Sequence, residues 1–329
     1  LIVLASCFSM PVNADKPHRW KKDIAQSVDL YNSWFMQFAP KAYRDTRVET
    51  AQQVEAALRS TANLSNLTPA VFQQNPSLLR MLRMATAPPI NRDRFIGLAG
   101  VLATLVKSME DNNHIPQQIE GVKVDGELQK ISQLITRLLD RDIFPWIVNH
   151  QRPTESQIQR AATIMADRLC SAVTEAIVRN AQERRQLAVI KNWLELRGYS
   201  YILAGERFRF NEMRAGTFSF HVNIPVRLDG GTKQINIPID TVIMPIQAQY
   251  GDFPLLIEAK TSGDYINSNK RRKEESIRIV QLRNEYGNNV PFILFLCGYF
   301  NSGFLGHEAA EGIDWVWEHR IDDLVEFGV

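Results

Sequence analysis

The chain has 329 residues, 45% of them hydrophobic and 22% charged, and its 38 basic and 36 acidic side chains leave a formal net charge of +2. This is ordinary globular composition; it excludes a wholly disordered chain and is ample for a large core, in two domains or one elaborated domain. The balanced charge neither demands nor excludes a nucleic-acid partner, because clustering rather than the total decides that.

The opening stretch "LIVLASCFSMPVNAD" has a short apolar run and a small residue at Ala14, loosely like a signal peptide. It lacks a basic leading region and is too short to span a bilayer. The reading adopted is that Met10 opens the natural protein and residues 1–9 are an upstream extension, with residues 1–16 disordered or extraneous. No other stretch approaches 18 uninterrupted apolar residues, so no membrane partner is expected. Cys7, Cys170 and Cys297 are scattered, with no CxxC and no histidine at metal-ligand spacing. They read as reduced thiols in a cytoplasmic protein, without structural zinc.

Residues 17–195 read as helices. "DIAQSVDLYNSWFMQF" places Ile24, Val28, Tyr31, Phe35 and Phe38 on one face, and Pro40 is expected to end that helix. Further amphipathic segments follow, broken by Pro88-Pro89, by "EDNNHIP" and by "NHQRPTES", whose Thr154 has the chemistry of an N-cap. Residues 17–175 are therefore taken as a helical domain.

Near Gly198 the pattern changes. "YSYILA", "TFSFHVNIPVRL", "KQINIPIDTVIMPI", "FPLLIEAK" and "VPFILFLCGYF" are short segments rich in β-branched and aromatic residues, separated by turn residues. Asp229-Gly230-Gly231 makes "VRLDGGTKQI" a hairpin. A helix is expected over 268–286, with Ile277 and Val280 and the Ile279–Leu282–Tyr286 row as apolar stripes. "PFILFLCGY", apolar at consecutive positions, reads as a central strand covered on both faces, and Trp315 and Trp317 as core residues of a late strand. The fold class is α/β (α+β): a helical domain, then residues 176–329 as a core with a central mixed sheet flanked by helices.

One constellation carries chemistry. Asp240 is expected near the start of one strand, and Glu258 and Lys260 share a face of the next, with Ala259 pointing away. An antiparallel return of that length sets Asp240 opposite Glu258. Two close carboxylates repel unless a cation lies between them, and with hard oxygen ligands the natural ion is Mg²⁺. Lys260 beside the ion can stabilise charge on a phosphoryl oxygen or help to deprotonate an attacking water. The basic run Lys270, Arg271, Arg272, Lys273 is expected to open the following helix, where amides and cations dock phosphate. The ordinary alternative for Glu258 and Lys260 is a solvated strand-end ion pair.

The pattern Pro238-x-Asp240…Glu258-x-Lys260 resembles the PD-(D/E)xK nuclease motif, with its Pro and Asp split by one residue. Blocks at 19–47, 86–100, 179–187, 258–276 and 295–324 resemble the XamI-type family of type II restriction endonucleases over essentially the whole chain. The resemblance implies Mg²⁺-dependent, sequence-specific hydrolysis of double-stranded DNA giving 5′-phosphate and 3′-hydroxyl ends. It also implies a homodimer on a palindrome and a cognate DNA methyltransferase as functional partner. Carried over, Asp240 and Glu258 are the metal carboxylates, Lys260 is the catalytic lysine, and Glu183 in "NAQERRQ" is the acidic residue contributed by the preceding helix. Arg44, Arg47, Arg92 and Arg94 are candidate DNA contacts; Asn269 is another, and also a candidate helix cap. The competing readings are a non-cleaving DNA-binding protein on a nuclease-like fold and a structure-specific repair nuclease.

Overall fold

The structure, a computed structural model, describes residues 11–116, 123–205, 208–228, 233–249 and 251–329, with the backbone alone of residues 172, 233 and 266–275. In chain order the helices are α1 (Pro17–Ser60), α2 (Pro69–Gln74), α3 (Leu78–Met84), α4 (Arg92–Ala99), α5 (Ala103–Asn112), α6 (Val124–Leu138), α7 (Pro145–Asn149) and α8 (Glu155–Glu195). Then come β1 (Ser200–Tyr201), β2 (Thr217–Leu228), β3 (Lys233–Met244), β4 (Leu255–Ser262), α9 (Tyr265–Tyr286), β5 (Phe292–Gly298), α10 (Ser302–Ala310) and β6 (Asp314–Trp317). A short 3₁₀ segment, Glu318–Phe327, closes the chain. Among the described residues no helix is long and apolar enough to cross a membrane.

By packing, the chain divides into one unit of residues 39–178 and another of residues 1–38 with 179–329. The first is all helical. Its core runs through Leu58, Phe72, Leu79, Leu82, Phe95, Leu105, Ile131, Ile135, Phe144 and Met165. Thr154 does cap α8, where its hydroxyl receives the Gln157 amide at 3.3 Å while the Gln157 side chain receives the Thr154 amide at 2.9 Å. This reciprocal pair satisfies two backbone donors that a helix start leaves open. Glu110 is buried against Arg83 and also pairs with Arg92.

The second unit holds a six-stranded mixed sheet in the order β1-β2-β3-β4-β5-β6. β2, β3 and β4 are antiparallel neighbours; β4, β5 and β6 run parallel. The sheet is the middle of three layers. On one face Ile190, Trp193 and Leu194 of α8, with Leu324, pack on Phe218, Ile243, Ile257, Phe295 and Val316. On the other, Ile279 and Leu282 of α9 and Phe304 and Leu305 of α10 pack on Ile224, Ile237, Leu256, Leu294, Trp315 and Trp317. All seven positions of β5 are buried, as a continuous apolar run sandwiched between helices should be.

Several expectations need correcting. Pro40 does not end α1, which continues through it to Ser60. A proline interrupts only the bond from its own missing amide to the carbonyl four residues back, and that residue, Met36, is exposed, so water can replace the lost partner. β1 shrinks to two residues. α9 begins at Tyr265, so Asn269 lies inside it rather than capping it, and the run 270–273 does not open it. Among the described side chains of α9, Ile279 and Leu282 are buried, whereas Ile277 and Val280 are exposed. Asp240 stands well inside β3 rather than at its start. Pro225 in β2 and Pro238 in β3 both lie where the outer edge of their strand has no strand partner among the described residues: β1 meets β2 at Thr217–Phe218, and β4 meets β3 at Thr241–Ile243. There a missing amide breaks no ladder. The Asp229-Gly230-Gly231 turn and Cys7 lie outside the described residues.

Candidate active site

The site forms where the sheet forks. β3 and β4 pair over three positions, Thr241↔Ile257, Val242↔Leu256 and Ile243↔Leu255, and then part. β4 continues beside β5 to Ser262, while the rest of β3 runs beside β2. The register places Asp240 opposite Glu258, one step beyond the last shared pair. Its Oδ2 accepts the Ala259 amide at 2.8 Å, a backbone group released by the fork. A carboxylate is thereby fixed at the point where two strands separate, by the amide that the separation leaves open.

Glu258 is buried, and its Oε1 receives Lys260 Nζ at 2.9 Å and the guanidinium of Arg278 from α9. Its Oε2 is also buried and has no hydrogen-bond partner among the described residues. A buried carboxylate oxygen without a partner is costly in a finished core and suits a position where a cation completes the coordination. Burial first, and then the Glu258 charge, push the Asp240 carboxyl from its ordinary 3.8 up to about 6. A divalent cation taken by both carboxylates would relieve the cost of charging Asp240 beside Glu258.

Glu183 reaches the same place from α8. One ligand atom each of Glu183, His221 and Asp240 lie within 4.8 Å of one another, a group able to hold a metal ion. Sequence reasoning missed His221 and Arg278. His221 was nevertheless legible: nine residues back from Gly230 is His221, and nine forward from Gly231 is Asp240. The pairs Phe220↔Thr241 and Val222↔Ile239 bracket that opposition. His221 also carries φ +51°, outside the extended region. On its N-terminal side Phe218 packs in the core under α8, yet Val222 and Ile224, of the same parity, pack in the core under α9. Same-parity side chains change faces only if the strand makes a half-twist, and the left-handed residue supplies it.

Cys297 is no rival nucleophile, since burial pushes its thiol up to about 12. The arginines singled out in the helical part belong to the unit of residues 39–178. Arg44, Arg47 and Arg94 are exposed, Arg47 over the Tyr43 ring at 5.7 Å. Arg92 is paired with both Glu110 and Asp111. The side chains of Asn269 and of Lys270, Arg271, Arg272 and Lys273 lie outside the described residues.

Residues 62–317 match the XamI restriction endonuclease family. The type II restriction enzyme SalI of Streptomyces albus G is 50% identical over 317 residues, 96% of this chain and 99% of that one. The chain belongs to the XamI restriction endonuclease family. As a member it is a type II restriction endonuclease, a site-specific deoxyribonuclease whose substrate is DNA. The forked sheet with its acidic residues belongs to that restriction endonuclease. A solved structure, protein VC1899 from Vibrio cholerae, aligns over 77% of this chain and 54% of its own length at 12% identity, with a TM-score of 0.27, too low to carry an argument.

Proposed function

We propose that the fork between β3 and β4 is the hydrolytic centre, of PD-(D/E)xK type, and that it cuts both strands of duplex DNA to leave 5′-phosphate and 3′-hydroxyl ends. The observation that carries this reading is Asp240 set opposite Glu258 with Lys260 alongside. Asp240 and Glu258 would hold Mg²⁺, and the donor set fits: two carboxylates, one with a buried oxygen that has no hydrogen-bond partner among the described residues. When bound, the ion supplies charge for the scissile phosphate and acidifies its water.

The chain's own groups do the rest. Lys260 and Arg278 hold Glu258 by Oε1, so that Oε2 remains the donor atom. Lys260, one side chain from the acids, brings an ammonium to the phosphate, where charge builds on a non-bridging oxygen during in-line attack. Glu183, with a carboxylate oxygen within 4.8 Å of one of Asp240, adds a further acceptor for a water proton. The basic run on α9 and the exposed Arg44, Arg47 and Arg94 would contact DNA phosphates, with the helical part serving recognition or dimerisation. A homodimer on a palindrome gives each strand its own centre. The enzyme would act in the cytoplasm beside a methyltransferase that protects the host's sites.

Incubation with plasmid DNA and Mg²⁺ tests this reading. Discrete fragments are expected from the wild type, and Lys260→Ala should lose at least about a hundredfold in rate, the scale of one charge-stabilising donor, with an unchanged circular dichroism spectrum. Cutting by Lys260→Ala at the wild-type rate would remove the site assignment; a smear or junction-dependent products would instead indicate a repair nuclease.

A further inference from the structure

Two side chains, His221 and Glu183, converge on Asp240. His221 stands opposite it across the β2–β3 ladder, and Glu183 comes down from α8 with its Oε1 3.9 Å from His221 Nδ1. As a surface pair alone, Glu183 and His221 would be an ordinary weak contact. Asp240 makes the difference, because its carboxylate is half-buried, is fixed by the Ala259 amide and lies within 4.8 Å of both partners. Resting on the reading of Asp240 as a metal carboxylate, we infer that Glu183, His221 and Asp240 form a second divalent-cation position. Asp240 is shared with the Asp240–Glu258 position, and the imidazole makes the new one select Mn²⁺-class ions over Mg²⁺.

The distances permit it. Ligands on opposite sides of a small divalent ion, each at about 2.1 Å, stand about 4.2 Å apart. Closing the group from its present spread takes about half an ångström. The Glu183 and His221 side chains are 45% and 61% exposed and can make that movement, whereas Asp240 is held. The preference follows from the donor set. Mg²⁺ takes hard oxygens and keeps its waters, while an imidazole nitrogen suits the later first-row ions. The Asp240–Glu258 position offers only oxygen, so the two positions differ in the metal they prefer. They would flank one carboxylate, the arrangement in which two ions clamp the attacking and leaving oxygens of a phosphodiester.

His221→Asn is the useful variant, since asparagine accepts the left-handed backbone of residue 221 and removes the imidazole. Mn²⁺ is added to the DNA-free wild type and variant, and electron spin-echo spectra are recorded for nitrogen coupling, with calorimetric titrations of Mn²⁺ and Mg²⁺ alongside. The wild type should show imidazole nitrogen coupled to Mn²⁺. In His221→Asn the coupling should vanish and Mn²⁺ affinity at one position should fall about tenfold or more, with Mg²⁺ affinity changed by less than about threefold. A wild-type spectrum without nitrogen coupling, or Mn²⁺ binding by His221→Asn equal to wild type, overturns the inference and leaves the pair as a simple surface contact. Failure of the underlying catalytic reading looks different: Lys260→Ala would then cut normally, whatever the spectra of His221→Asn.

Discussion

Asp240→Asn should abolish cleavage and, without divalent ions, make the protein more stable at pH 8. In the folded protein the carboxyl is pushed from 3.8 to about 6, first by burial and then by Glu258. An acid whose folded value is raised binds its proton more tightly folded than unfolded, so stability falls as pH rises through that window. Below pH about 4 both states hold the proton and the carboxyl costs nothing; above about 6 the full cost is present. At about 1.4 kcal/mol per pH unit it amounts to at most about 3 kcal/mol. Asparagine keeps an oxygen for the Ala259 amide and never carries the charge. Urea unfolding in chelator from pH 4 to 8 should show the variant's advantage growing from near zero to a plateau above pH 6.5. Added Mg²⁺ should stabilise the wild type and erase most of the difference. An advantage independent of pH, or a variant less stable than wild type at pH 8, would refute the claim that Asp240 is held against its charge.

Two further substitutions probe the frame. Gly298→Ala puts a methyl group 2.2 Å from the Ser262 carbonyl oxygen at φ +98°, so the ends of β4 and β5 cannot both stay in place. A loss of about 3 kcal/mol or more is expected in urea unfolding, and an unchanged midpoint would contradict the packing at that strand end. Arg83→Ala removes a buried guanidinium from a fully buried Glu110, leaving Arg92 as its remaining partner, and should cost about 3 kcal/mol. A loss below about 1 kcal/mol would mean that Arg92 alone satisfies the acid.

Strand signals were legible where side-chain alternation and composition agreed, as in β2, β4 and the fully buried β5. Asp240 opposite Glu258 followed from the length of an antiparallel return, and the register has that opposition. Local chemistry misled where it was read without its tertiary setting. Pro40 is harmless on an exposed stretch of helix, and Pro238 on a strand edge with no strand partner among the described residues, so neither ends its element. His221 escaped notice for a different reason. A histidine search by linear spacing sees only neighbours in the chain, whereas this one is placed by counting both arms of a hairpin outward from its turn. Arg278 had no such signal, because its meeting with Glu258 depends on how α9 lies on the sheet.

Among the described residues, three ladder pairs and the Ala259–Asp240 hydrogen bond join β3 of the β2–β3 hairpin to β4. Asp240 and Glu258, the two acids proposed to share a metal ion, thus ride on different halves of the sheet, and that narrow seam sets their spacing. Trimming Val242 or Leu256 there would let the halves drift, weakening cleavage while every ionisable group stays intact. Amide exchange at Thr241–Ile243 and Leu255–Ile257 would then report on how firmly the blade is held shut.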